Sequence, residues 1–281
     1  MIIWIASYPK SGNTYLRSFL ASYYYSKDGN FSFNHLLKIH QFPNIKLSKF
    51  TPESKEEASK NWMFNQNSFF DRGTLNLIKT HNCLYPYKKN NFTSKNETIG
   101  AIYIVRDPRN LITSLKHHYS IDYEKAMKLM LDKNSSLLEE SHDKDFSNFT
   151  YLNSWSDHYN SWKNSSDFKT LFIKYEDLEK NKKEIFIKMI NFINEITKNN
   201  EKINEKKLFN SIRTTNFSTL KNKELNEGFE ESVYSKNTGK KIKFFNLGFN
   251  NRWQKILPED IKKKLNEIFK KNLDELNYPK E

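Results

Sequence analysis

A single cysteine, Cys83, stands in 281 residues. It leaves no intramolecular disulfide and no thiolate zinc site to hold a fold together. Long apolar runs are missing as well, since none approaches the roughly 20 residues needed to span a bilayer. The chain opens directly on a short apolar stretch, without a charged n-region, an apolar h-region or a cleavage site. These absences predict a soluble cytoplasmic protein, in which triplets such as Asn91-Phe92-Thr93 and Asn148-Phe149-Thr150 are chance products of an asparagine-rich chain. No internal repeat and no Gly/Pro/Ser linker divides the sequence, so one domain over residues 1–281 is the simplest reading, with ample length for a core.

What is present is bulk and positive charge. Aromatic residues make up 15% of the chain, which gives a core material despite the polar average. The formal net charge is +13 and favours anionic partners: nucleotides, sulfated or phosphorylated compounds, nucleic acid or a membrane surface. An abundance of Asn, Lys, Ile and Phe is also what an AT-rich coding sequence produces, so the charge is read as bearing on association more than on function.

The first twenty residues carry the sharpest signal. An apolar run, Ile2–Ala6, breaks into Ser7-Tyr8-Pro9-Lys10-Ser11-Gly12-Asn13-Thr14. Leu16, Phe19, Leu20 and Tyr23 then recur at helical spacing. Strand, polar loop and helix build an anion site from backbone, because the free N–H groups and the dipole of the helix start both favour negative charge. Lys10 adds an ammonium, Gly12 allows close backbone approach, and Ser11 and Thr14 add hydroxyl donors. This loop is expected to hold a phosphate.

Three further apolar runs, Leu75–Thr80, Ala101–Val105 and Thr170–Lys174, read as buried parallel strands. Helical patterns lie between and after them, among them Ile185, Met189, Phe192, Ile193 and Ile196, and Ile261, Leu265, Ile268, Phe269 and Leu273 with Pro258 at the start. The alternation predicts an α/β fold with a central parallel sheet covered by helices on both faces. Ligands of such sheets bind beyond the carboxyl ends of the strands. There stand Lys79-Thr80-His81, Arg106-Asp107-Pro108-Arg109-Asn110 and Tyr175-Glu176-Asp177-Leu178. His81 can take a proton from a hydroxyl at neutral pH, or simply bond backbone at a strand end. Arg106 can grip a phosphate bidentately, with Ser114 about two helical turns on, or pair with Asp107 at the surface. The acids after Tyr175 are placed to cap the next helix. Segments 26–72 and 120–165 are polar and poorly periodic, and read as elaborations over the same edge.

Taken together, these loops resemble the sulfotransferases that use 3′-phosphoadenosine 5′-phosphosulfate (PAPS). Tyr8 to Thr14 resembles the family's 5′-phosphosulfate loop, and Ile104 to Asn110 with Ser114 and Tyr119 its 3′-phosphate segment. Leu77 to His81 is similar to the segment that holds the base in cytosolic members. Lys174 to Leu178 and Thr215-Asn216-Phe217 match two later segments, all in the family's order. The resemblance implies a three-layer, P-loop-like fold with a sheet of about five strands. It also implies transfer of a sulfuryl group to a hydroxyl or amine, with PAPS as donor and 3′-phosphoadenosine 5′-phosphate (PAP) as product, and no metal.

Residue by residue, it makes His81 the base, Lys10 the stabiliser of the leaving phosphate and Lys79 a support for the sulfuryl group. Ser11, Gly12, Asn13 and Thr14 hold the 5′ side, and Arg106 and Ser114 the 3′-phosphate. Tyr15, Tyr175, Thr215 and Phe217 surround the adenosine, and Gly248 keeps the spacing of a C-terminal nucleotide segment. That segment, Asn246 to Lys255, lacks the family's Arg-Lys pair, for which Lys240, Lys241, Lys243 or Arg252 can substitute. The acceptor is expected to be a small molecule or carbohydrate, with a lean toward an anionic one. Three other readings stand beside this one: a P-loop kinase or NTPase, a nucleic-acid-binding module, and a PAPS-binding protein without activity. The first lacks the leading glycine and a magnesium-binding acid at a strand end, and the second lacks a recognisable motif.

Overall fold

The computed structural model describes residues 1–71, 73–138, 145–235 and 238–279. Four strands, β1 (Ile2–Ala6), β2 (Asn76–Thr80), β3 (Thr98–Val105) and β4 (Lys169–Lys174), form a parallel sheet in the order β2-β1-β3-β4. The sheet has one strand fewer, among the described residues, than the five or so expected. The only other paired strands there are Ser136–Leu137 and Thr150–Tyr151, a short antiparallel ribbon. Observed strands match the apolar runs to within a residue, except that β3 starts three residues early, at Thr98.

Alternation along β1 divides the core in two. Ile2, Trp4 and Ala6 point to one face, where they meet Phe92 and the helix Trp155–Lys163. Ile3 and Ile5 point to the other, against α1 (Asn13–Tyr25) and the helix Lys182–Thr197. Period-two placement of apolar side chains on both faces is what a sheet covered by helices requires. Each large apolar side chain fully buried this way contributes roughly 1.5–3 kcal/mol.

Two expectations change. The C-terminal pattern is not one helix but two, Glu259–Ile268 and Lys270–Glu275, broken at Phe269. The break turns Ile268 outward, 44% exposed, while Ile261, Leu265, Phe269 and Leu273 stay buried. Segment 120–165 is also more than a cap over the sheet edge, although its residues 139–144 lie outside the described residues. Trp155, Tyr159 and Trp162 are buried beneath the sheet, and their aromatic bulk rather than any long periodicity makes Trp155–Lys163 a core helix. In segment 26–72, short helices occur at Phe33–Leu36, Lys55–Lys60 and Trp62–Phe69.

Register sets the geometry of the strand ends. Ala6 pairs with Thr80, and Val105 with Lys174. Ser7, His81, Arg106 and Tyr175 therefore follow their strands by a single residue each, along one edge of the sheet.

Candidate active site

The loop after β1 leads into α1 through two residues with positive φ, Lys10 at 67° and Gly12 at 103°. Gly12 is the N-cap of α1 and brings no side chain to it, so the first amides of the helix carry no side-chain cap. A Cβ on Gly12 would collide with the Tyr175 ring. Glycine is thus required here twice, for its φ and for the close approach of two strand-end loops. Asn13 turns its amide back to the carbonyl of Ile5 (2.9 Å) and the hydroxyl of Ser7 (3.3 Å), which ties the helix start to β1.

Above this edge lies a cavity of about 640 Å³. Its walls carry Lys10, Gly12, Asn13, Thr14, Tyr15, Lys79, His81, Arg106, Ser114, Tyr175, Phe217 and Gly248. Two of the expected residues are not on the wall. Ser11 is fully buried under the loop, with an Oγ that has no hydrogen-bond partner among the described residues. Thr215 is buried too, and its hydroxyl donates to the carbonyl of Ser211 (2.6 Å). Phe217 does reach the cavity, from the first turn of α2 (Phe217–Glu227), which Asn216 caps by accepting from the Thr219 amide. The ring lies where a Cβ on Gly248 would stand, so the glycine makes room for the phenylalanine.

His81 is oriented through its backbone and one ring nitrogen. Nδ1 lies 2.7 Å from the carbonyl oxygen of Ser7, an acceptor only, so Nδ1 carries the proton. Nε2 is then a bare lone pair beside the cavity. The carbonyl of His81 accepts from Nε2 of the buried His158 (2.9 Å), whose Nδ1 meets the Tyr103 hydroxyl (2.9 Å). Burial first, and then the charge of Lys79, hold the His81 pKa well below its ordinary value, so the ring is neutral at neutral pH.

Lys10 is the most perturbed cation of the site. Burial brings its pKa down to about 7; Glu231 opposes that shift, while Lys79 and Arg106 reinforce it. Its Nζ donates to Nδ1 of His118 (3.3 Å) and sits 3.7 Å from the centre of the Phe244 ring. Burial and the neighbouring Lys10 charge lower His118 to about 3, which fits a ring that accepts from the lysine. Arg106 does not pair with Asp107. It donates from Nη1 to the carbonyl of Lys10 (3.0 Å) and the hydroxyl of Ser114 (3.1 Å), and lies over the Tyr175 ring. Its Nε is buried without a hydrogen-bond partner among the described residues. Asp107 pairs instead with the fully buried Arg109 (2.7 Å). Glu176, expected to cap its own helix, accepts from the amide of Asp107 (3.1 Å) and the side chain of Asn110 (3.3 Å).

The four basic candidates near the C-terminus all miss the cavity wall. Lys240, Lys241 and Lys243 are exposed, and Arg252 pairs with Glu179 at the surface (3.2 Å). The residue found there is Asn251, which donates to the carbonyl of Asn110 (2.7 Å) and the hydroxyl of Ser114 (3.2 Å). Sequence reasoning also missed Phe249, stacked on Tyr175 at 5.0 Å and edge-on to Tyr15. His118, Phe244 and Glu231 were missed likewise. His118 alone left a signal, standing four residues past Ser114 on the helix Pro108–Tyr119.

The residues fit a phosphorylated nucleotide. An uncapped helix start, three cations and the orphaned Arg106 Nε surround one space beside aromatic rings. No group of three or more His, Cys, Asp or Glu able to hold a metal occurs among the described residues. Nor is any described helix long and apolar enough to cross a membrane.

Fold and site together describe an α/β protein with a cation-lined cavity at the carboxyl ends of a parallel sheet. The sulfotransferase domain model matches residues 2–277, and the chain belongs to that family. Among curated proteins it is 22% identical over 192 residues to amine sulfotransferase of Oryctolagus cuniculus. That alignment takes in 68% of this chain and 55% of the relative, so the chain spans just over half of that protein. Among solved structures, mouse sulfotransferase SULT7A1 complexed with PAP superposes with a TM-score of 0.61 at 20% identity, over 97% of this chain and 84% of the other. Retinol dehydratase with androsterone and the inactive cofactor PAP gives 0.57 at 19% identity, over 97% and 80%. At these identities the likeness is one of fold.

Proposed function

We propose that this protein is a sulfotransferase that moves a sulfuryl group from PAPS to a hydroxyl or amine of a small acceptor. The observation that carries the reading is the gathering of Lys10, Lys79, His81 and Arg106 on one cavity at the start of α1, in a chain of the sulfotransferase family. PAP in the related structures supports the donor.

Bound PAPS would supply an activated sulfuryl group whose bond to the 5′-phosphate breaks as the acceptor oxygen or nitrogen attacks in line. The chain's own groups then have separate tasks. The amides at the start of α1 and the Thr14 hydroxyl hold the 5′-phosphate. Lys10 donates to the oxygen on which negative charge grows, and Lys79 supports the sulfuryl oxygens. His81 Nε2 takes the acceptor proton while Nδ1–H stays on Ser7, which fixes the tautomer throughout. Arg106 and Ser114, steadied by Asn251, face the 3′-phosphate. Tyr15, Tyr175, Phe217 and Phe249 form the apolar surround of the adenosine. Little covalent help is needed from protein for such a transfer, so position and charge dominate.

The acceptor side of the cavity draws on both irregular segments, with Gln41, Asn44, Leu137, Leu138 and Thr150 on its wall. Structures of retinol dehydratase hold androsterone or retinol, and an acceptor of that size or a sugar suits the space here. A single domain working in the cytoplasm remains the simplest setting.

Calorimetry with PAP against ATP tests the donor, and a screen of hydroxyl and amine acceptors with labelled PAPS tests transfer. PAP is expected to bind and ATP to bind more weakly; a preference for ATP would sink the sulfotransferase reading.

A further inference from the structure

Among the described residues, Glu231 is the acid that reaches into the cation cluster through direct bonds on three sides. Its Oε2 accepts from the Thr14 hydroxyl (2.9 Å), and its Oε1 accepts from Arg17 Nη1 (2.6 Å) and pairs with Lys79 (3.3 Å). The carboxylate comes from outside the sheet, on the stretch that follows Gly228, whose φ is 77°. The stretch is pinned nearby: Glu224 accepts from the Ser232 hydroxyl (2.7 Å) and from the amides of Phe244 (2.6 Å) and Phe245 (2.8 Å). Glu231 itself has no such backbone anchor in its side-chain contacts. It is held by charge and by one hydroxyl.

Two of those partners, the Thr14 hydroxyl and Lys79, line the cavity and are groups an incoming anion needs. Arg17 and Lys79 are nearly buried, with side chains 5% and 8% exposed, and cations so placed require a negative partner. The Thr14 hydroxyl belongs to the first turn of α1, beside the free amides. A phosphosulfate entering this corner would bring several negative charges against a carboxylate already there, and like charges at such range repel strongly in a partly dry site.

We propose that Glu231 is a built-in competitor of the donor: its carboxylate and the donor's 5′ anion take the same contacts in turn, so Glu231 sets donor affinity. This rests on the donor reading given above. When the donor enters, the Thr14 hydroxyl passes from Glu231 to the phosphate and the carboxylate swings aside. The movement is one of side chain, since Ser232 beside it is bonded to Glu224.

The test compares wild type with Glu231→Gln by calorimetry, using PAP and inorganic pyrophosphate as probes. Removing the charge while keeping an acceptor for Arg17 is expected to tighten both about ten-fold. Unchanged or weaker binding of both probes would overturn the inference. Tighter pyrophosphate binding with no PAP binding by either protein would uphold competition by Glu231 and remove the donor reading instead. Should Glu231→Gln fail to fold, a crystal structure of wild type with PAP decides: Glu231 is expected beyond hydrogen-bond reach of the Thr14 hydroxyl. Retention of that bond beside bound PAP would overturn the proposal.

Discussion

On one side of the cavity, Ser7, His81, Arg106 and Tyr175 each follow a strand by one residue. On the other, Glu231, Phe244 and Asn251 come from a stretch with little regular structure between Gly228 and Trp253. The first group inherits its position from strand register, which sets the backbone that carries it. The second is held by individual side-chain bonds, chiefly those of Glu224 and Asn251. A site can thus keep its chemistry on a rigid edge and leave its occupancy to a strap.

Mutations can break or sharpen this contrast. The largest effect is expected on the rigid side: His81→Ala should lower turnover by about 10²–10⁴-fold, the usual contribution of a positioned base, with PAP binding within a few-fold of wild type. Near-normal turnover at neutral pH would show that the base lies elsewhere. Lys10→Ala follows, with a loss of about 10²–10³-fold in turnover, as for removal of one charge-stabilising donor. Circular dichroism on both variants should match wild type.

A smaller effect is expected from pH alone. Lys10 is charged below about 7 and neutral above it. PAP affinity should therefore fall as pH rises through that value, by about ten-fold if one charged contact is lost. Lys10→Arg stays charged and should flatten the profile; an unchanged slope in that variant would remove Lys10 as its source. Glu231, Glu224, Lys79 and Arg106 all act on Lys10 through their charges.

The smallest effect on turnover belongs to the strap. Glu224→Ala removes the acceptor for two amides and a hydroxyl, which should destabilise the fold by about 1–3 kcal/mol. Donor KM should shift several-fold while kcat moves little. A loss of kcat comparable to that of His81→Ala would mean that the two sides are not separable.

The contrast also explains what was legible in sequence. The strands were visible because buried parallel strands are short continuous apolar runs, and the residue after each run is then located without knowing anything else. His81 and Arg106 were found that way, and Lys10 and Gly12 from the polar loop between the first run and its helix. Glu231 and Asn251 gave no such sign, because in an irregular stretch the sequence neighbour is not the spatial one. Asn251 stands where no charge is, so a search for a cation among Lys240, Lys241, Lys243 and Arg252 passed over it. Thr215 misled for a related reason: a hydroxyl at a helix end bonds its own backbone readily, and here it does so with Ser211. The broken C-terminal helix was hidden because its apolar spacing runs on across Phe269.

Arg109 carries a consequence of a different kind. Beside its pair with Asp107, it donates to Asn266 (2.9 Å) and to the carbonyl of Pro279 (2.7 Å), while the Tyr278 hydroxyl donates to Glu176 (3.1 Å). The turn that presents Arg106 is therefore completed by residues 157 and 170 positions after Arg109. During synthesis from the amino end, the Lys10 loop emerges early, yet the turn beside it lacks its final partners until Pro279 has been made. All four strands of the sheet precede Asn266 and Pro279 in sequence, so the arginine turn is the part of the site that only long-range closure of the fold completes.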